Sequence, residues 1–256
     1  MKRSFWPAFN SILFSSLILL TLPQHSSASS ETKEVEMITL AQVPYGFLTS
    51  KGENKGVFYE ILNEIISVSK IGNSHQLIPF KRVVARMKAK QNFCTIAAND
   101  DENKSLFDLV EPIGFKLSAG ILPGPNIDLN DYSKLKGLRI AVPLGAYISE
   151  KFNKDNNLLK VTSSKYTNAI KMLKSSRVDA VAGAIPALMY ISKTQSIEQT
   201  YFGKPLLLKS YDVYLLCSHD LQTETRHILK KTLIELKSKG KIQQILDSYF
   251  KQTIGQ

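Results

Sequence analysis

The stretch from Val35 to Ile66, VEMITLAQVPYGFLTSKGENKGVFYEILNEII, decides the architecture. Residues 35–43 read as an apolar strand centred on Met37-Ile38-Thr39-Leu40-Ala41. Pro44-Tyr45-Gly46-Phe47 stops it in a loop, because proline has no N–H for a ladder and glycine frees the backbone to turn. Residues 51–56 are polar and glycine-bearing, a turn. Phe58, Ile61, Leu62, Ile65 and Ile66 then fall at helical spacing and form one apolar face. A strand that feeds straight into an amphipathic helix is the first half of a parallel β-α-β unit.

Reading outward, Gly72-Asn73 ends the helix, and 75–80 is a second short strand closed by Pro79. Val83, Val84 and Met87 belong to a second helix, and 93–98 is an apolar third strand. The order β-α-β-α-β predicts a parallel sheet with helices on its faces. After Pro112 the pattern restarts. Strands are expected at 115–122, 138–142, 159–162 and 178–182, with helices starting at 147 and covering 167–173 and 187–192. The spacing therefore gives two α/β units of about one hundred residues each, an ordinary domain size. The units echo each other: Arg86-Met87-Lys88-Ala89-Lys90 precedes Phe93-Cys94-Thr95-Ile96-Ala97 much as Lys171-Met172-Leu173-Lys174-Ser175 precedes Val178-Asp179-Ala180-Val181-Ala182. The tail is a strand at 213–217 and two helices, with Leu229, Leu233 and Leu236 on one face and Ile242, Ile245, Leu246, Tyr249 and Phe250 on another. It cannot bury those faces alone and must dock on one of the units.

Of 256 residues, 43% are hydrophobic and 21% charged, which excludes disordered and collagen-like classes. The net charge of +11 is spread along the chain and points to no nucleic-acid partner. Residues 1–28 read as a secretory leader: Lys2 and Arg3, an interrupted apolar run from Ile12 to Leu22, Pro23, then Ser26-Ser27-Ala28 as the cleavage site. The run falls short of the ~20 apolar residues of a membrane helix. The expected product is a periplasmic protein. With only two cysteines, a four-cysteine zinc site is excluded. An oxidising compartment permits a Cys94–Cys217 disulfide, and two buried free thiols acting as small hydrophobes is the reading slightly preferred.

Taken in order, several segments resemble the periplasmic solute-binding proteins that serve amino-acid ABC importers. They are Pro44-Tyr45-Gly46-Phe47, Gly56-Val57-Phe58, Asp108-Leu109-Val110-Glu111-Pro112-Ile113, Leu135-Lys136-Gly137-Leu138-Arg139-Ile140-Ala141-Val142, Arg177-Val178-Asp179-Ala180-Val181, and the helical pair at 237–250. Each is weak alone; their order and spacing carry the resemblance. It implies an α/β, two-lobed fold of the type II periplasmic-binding kind, each lobe a mostly parallel sheet flanked by helices, the lobes joined by two crossover strands. The implied boundaries are 29–115 with 208–256 for the first lobe and 116–207 for the second, with hinges near 115–118 and 207–210. The family's tail returns to the first lobe. Members that bind α-amino acids clamp the carboxylate with an Arg just ahead of the crossover and the ammonium with an Asp after the Val-Asp-Ala strand. Those places fall here on Asn103 and Ala184. Both halves of the clamp are missing, and burying an ammonium without a partner costs several kcal/mol.

Loops beyond the C-terminal ends of parallel strands line the crevice of open α/β sheets. The ligand candidates are therefore Tyr45, Phe47, Phe80, Arg82, Asn99 and Asp100 from the first unit, and Gly145, Ala146, Tyr147 and Ala184 from the second. Arg82 sits in the first turn of its helix, where a cation opposes the dipole, which suits either a fork onto a carboxylate or a solvated basic face with Lys81, Arg86 and Lys90. Gly145 next to a helix start could offer backbone N–H groups to an anion, or be a plain loop. Tyr45 and Phe47 could stack on a ligand or belong to the core. Asp100-Asp101-Glu102 could be an acid/base group, though such a turn is commonly a helix cap. His75, His219 and His227 have no metal-ligand spacing, and no nucleophile or phosphate-loop motif occurs. The expectation is a monomeric, cofactor-free binding protein that captures a small polar, anionic solute by hinge closure and presents it to a membrane permease or sensor. A dehydratase-type cleft enzyme, with Asp100 beside Arg82, is the alternative.

Overall fold

Strand β1 (Glu36–Leu40) leads through a hairpin, β2 (Phe47–Leu48) and β3 (Asn54–Lys55), into helix α1 (Val57–Ser69). Then follow β4 (Ser74–Ile78), β5 (Phe93–Ala98), the short helix α2 (Asp101–Leu106) and the long strand β6 (Asp108–Pro123). The second half contributes β7 (Arg139–Pro143), α3 (Glu150–Lys154), β8 (Leu159–Ser163), α4 (Tyr166–Lys174), β9 (Ala180–Ala184) and α5 (Ile185–Thr194). Strand β10 (Leu206–Cys217) returns to the first half, and α6 (Thr223–Ser238) and α7 (Lys241–Phe250) close the chain. This computed structural model describes residues 35–251 except 80, 81, 84, 87, 88, 90, 91 and 145, so the expected leader lies outside the described residues.

One sheet of eight strands runs through both halves in the order β4-β1-β5-β10-β6-β9-β7-β8. Strand β1 pairs parallel with β4 and β5, and β7 pairs parallel with β8 and β9. The two long strands pair antiparallel with each other and belong to both halves: β10 meets β5 through Val213–Cys217, and β6 meets β9 through Ala119–Pro123. They are the two crossovers. Pro112 is not the break that the sequence suggested, and β6 passes through it. The ladder shifts register between Asp212 and Tyr214, opposite Lys116 and Pro112. Gly114 sits inside that shift at φ 83. A bulge is where a strand tolerates proline, because the missing N–H is not needed there.

The apolar face of α1 (Phe58, Ile61, Leu62, Ile65) is buried in one cluster with Leu229, Leu233 and Leu236 of α6 and Ile242, Ile245 and Leu246 of α7. The tail's apolar stripes are thus satisfied against the first half. A second cluster on this half joins Ile38, Phe93, Phe107 and Leu216. Two further clusters fill the other half, around Ile121, Ile140 and Phe152, and around Ala169, Ile170, Leu173 and Leu188.

Two further sequence expectations are corrected. Cys94 and Cys217 are not free thiols but a disulfide, both fully buried. They stand directly opposite each other in the β5–β10 ladder with Cα atoms 4.1 Å apart. A pairing that only the return of β10 creates cannot be read from either strand alone. The helix expected to begin at 147 begins at Glu150. Ser149 caps it by accepting from the Phe152 N–H at 3.2 Å, and Asn153 Oδ1 accepts from Ile148 N–H at 3.1 Å, which holds Ala146 to Ser149 outside the helix.

Candidate functional site

The strand ends of the two halves face each other across a cavity of about 590 Å³. Asn99, Asp100 and Lys104, beyond β5, form one wall, and Tyr147, Ser149, Glu150 and Lys151, beyond β7, form the other. Lys209 to Asp212, the middle of crossover β10, make the floor. Asn99 N–H donates to the Asp212 carbonyl at 2.8 Å, tying the wall to the floor. The side-chain Oδ1 of Asn99 is buried and has no hydrogen-bond partner among the described residues. A buried acceptor left unpaired costs about 1–3 kcal/mol, which a donor on a bound molecule would recover.

The charges in this cavity are not evenly free. Glu150 is bound to Lys154 at 2.6 Å and Asp212 to Lys116 at 3.2 Å. Asp100 is the N-cap of α2, its Oδ1 accepting from Asn103 N–H at 2.8 Å. Lys151 lies 4.1 Å from the centre of the Tyr132 ring and Lys209 lies 5.9 Å from that of Tyr211, and neither has a carboxylate partner among the described residues. The carboxylates are engaged by cations or a backbone N–H, while these two ammonium groups face aromatic rings, so the cavity favours negative charge.

A second meeting point of the halves is closed. Tyr45 is buried, stacks on Phe58 at 4.6 Å, and has a buried hydroxyl without a partner among the described residues. Burial pushes its phenol well above the usual value, and Tyr166 across from it adds to the rise. The Tyr166 hydroxyl accepts from Ala184 N–H at 3.3 Å and bonds the side chain of Gln42. A Cβ at Gly183 would stand 2.5 Å from the Tyr166 ring, so only glycine leaves room for it.

Of the sequence candidates, the cavity brings together Asn99, Asp100 and Tyr147, the last 51% exposed. Tyr45 and Ala184 sit in the closed contact. Phe47 lies in the β2–β3 hairpin, and Ala146 packs against the second-half core. Arg82 is exposed and does not line the cavity. Arg86, grouped with it in the solvated-face reading, is bonded to Glu36 and to Gln76 at 3.0 Å, so it is not part of a solvated basic face. Phe80 and Gly145 lie outside the described residues. Sequence reasoning missed Gln42, Tyr166, Ser149 and the β10 floor. Tyr166 opens the helix after β8, so the strand-end rule that found Asn99 also applied to it. With Asp100 spent on a cap and Arg82 outside the cavity, the acid-and-clamp pair that a dehydratase would need is not assembled. Among the described residues no group of three His, Cys, Asp or Glu side chains could hold a metal ion, and no helix is long and apolar enough to cross a membrane.

No family model matches the chain. It is 19% identical to a probable amino-acid-binding protein, YxeM, of Bacillus subtilis, over 99% of this chain and 98% of that one. Among solved structures it is similar to a solute receptor for L-cysteine of Neisseria gonorrhoeae, with TM-score 0.69 and 16% identity over 88% of this chain and 93% of that one. It is also similar to a histidine kinase sensor domain that itself resembles periplasmic binding proteins, with TM-score 0.69 and 16% identity over 85% and 95%. By fold, the chain has the α/β, two-lobed type II periplasmic-binding architecture, and by sequence it is similar to a probable amino-acid-binding protein.

Proposed function

We propose that the protein is a periplasmic solute-binding protein. It captures a small anionic solute between its lobes and delivers the closed complex to a membrane permease or sensor. The lobes are 29–115 with 208–256 and 116–207, and the chain acts as a monomer after removal of its leader. The observation that carries this reading is the cavity of about 590 Å³ walled by both lobes and floored by a crossover strand, with Lys151 and Lys209 lacking carboxylate partners among the described residues. A ligand touching both walls binds the closed state better than the open one and so shifts the hinge toward closure. The unpaired Asn99 oxygen adds a requirement: the solute carries a hydrogen-bond donor, such as a hydroxyl, besides its anionic group. Of the residues read from the sequence, Asn99, Asp100 and Tyr147 are the ones this reading retains.

The test is a thermal-shift panel of hydroxy acids, dicarboxylates, sugar acids and amino acids, followed by calorimetry of the hits. A hydroxy acid or sugar acid is expected to bind, and Lys209→Ala or Tyr147→Ala to weaken it at least tenfold. Exclusive binding of cationic solutes, or hits indifferent to both substitutions, would overturn the reading.

A further inference from the structure

A second cavity, of about 360 Å³, shares no residue with the cleft. Its floor is apolar: Leu122 of β6, Pro186 and Met189 of α5, all buried, with Ile185 and Phe202 beside them. Its rim holds Leu207, an apolar side chain 59% exposed on β10, and two lysines, Lys116 and Lys204. Lys116 is already paired with Asp212 at 3.2 Å. Lys204 has no carboxylate partner among the described residues, and no Asp or Glu lines the cavity.

The volume is at the lower end of the roughly 300–1,000 Å³ range of small-molecule sites, which are mostly apolar with a few polar groups that fix orientation. An apolar body laid on this floor gains about 25 cal/mol for each Å² it removes from water. The sign of the rim then selects among apolar ligands, since a lysine without a facing carboxylate, here Lys204, attracts an anion and repels a cation. We propose that this cavity is a second small-molecule site, specific for an amphipathic monoanion: a short aliphatic or aromatic carboxylate with its chain on the Leu122–Met189 floor and its carboxylate at Lys204. Because Lys116, Ser118 and Leu207 lie on the two crossover strands, the site stands beside the connection between the lobes, and its Lys116 pairs with Asp212 of the cleft floor.

The test is calorimetric titration of the full chain with octanoate, using octylamine as the charge-reversed comparator. Octanoate is expected to bind one to one and octylamine not to bind. Lys204→Glu and Leu207→Asp, both at exposed positions, should each weaken octanoate at least fivefold while leaving the melting temperature unchanged. Any of four results would overturn the proposal: no octanoate binding up to 10 mM, equal binding of octylamine, wild-type affinity in both variants, or loss of octanoate binding on Tyr147→Ala. The last would place octanoate in the cleft, refuting the second site while leaving the cleft reading intact.

Discussion

Replacing both cysteines, Cys94→Ala with Cys217→Ala, should destabilise the protein by several kcal/mol without changing its fold. The disulfide closes a loop of 123 residues. In the chain-entropy account a loop of that size withholds about 5 kcal/mol of disorder from the unfolded chain. Strain and residual unfolded structure reduce what is delivered, so about 3–5 kcal/mol is the expected loss. Both half-cystines are fully buried among Met37, Leu229 and Leu233, so the alanines also leave a small void. With a urea slope of about 2 kcal/mol per molar, the unfolding midpoint should fall by roughly 2 M. Urea unfolding of the oxidised protein, the double variant and reduced wild type separates the two contributions. The staple should account for most of the difference between oxidised and reduced protein, and the void for the remaining difference between reduced protein and the variant. A midpoint within 0.5 M of oxidised wild type for the reduced protein would refute the reasoning, because the loop would then have contributed nothing.

Burial holds the His75 imidazole down to about 4, between Thr39 at 2.9 Å and the Asn63 side chain at 2.7 Å. The unfolded residue titrates near 6.5, so the neutral ring's stabilisation is complete above that pH and is lost as pH falls toward 4. About 2 kcal/mol should disappear across that window, allowing for partial exposure of the ring, and His75→Gln should remove the dependence; identical pH profiles in urea would count against it. Glutamine, histidine and arginine should not bind with micromolar affinity, because Asn103 and Ala184 stand at the clamp positions and Ala184 N–H is engaged by Tyr166; calorimetry showing tight binding of any of them would overturn this. Arg82→Ala should leave both the affinity for a cleft anion and the stability unchanged, because Arg82 lies outside the cavity, whereas Arg86→Ala should lower stability by breaking its bonds to Glu36 and Gln76; a tenfold loss of affinity in the Arg82 variant would return Arg82 to the site.

The sequence by itself determined the alternation of strands and helices, because burial periodicity is local: Phe58, Ile61, Leu62 and Ile65 face one way whatever they pack against. It also determined that the tail needed a host, since Leu229, Leu233 and Leu236 make a stripe that water does not tolerate. Only the tertiary structure decided the rest, and each case turned on register between distant segments. Cys94 meets Cys217 because β10 pairs antiparallel with β5 at that offset and no other. Pro112 lies inside a strand because the bulge opposite Asp212 and Tyr214 spares its missing N–H. Tyr166, at the start of α4, reaches the Ala184 N–H because Gly183 of β9 leaves its ring room. Which lysines of the cleft stay unpaired depended on where Lys116 and Lys154 found their carboxylates, a matter of side-chain geometry that no spacing along the chain encodes.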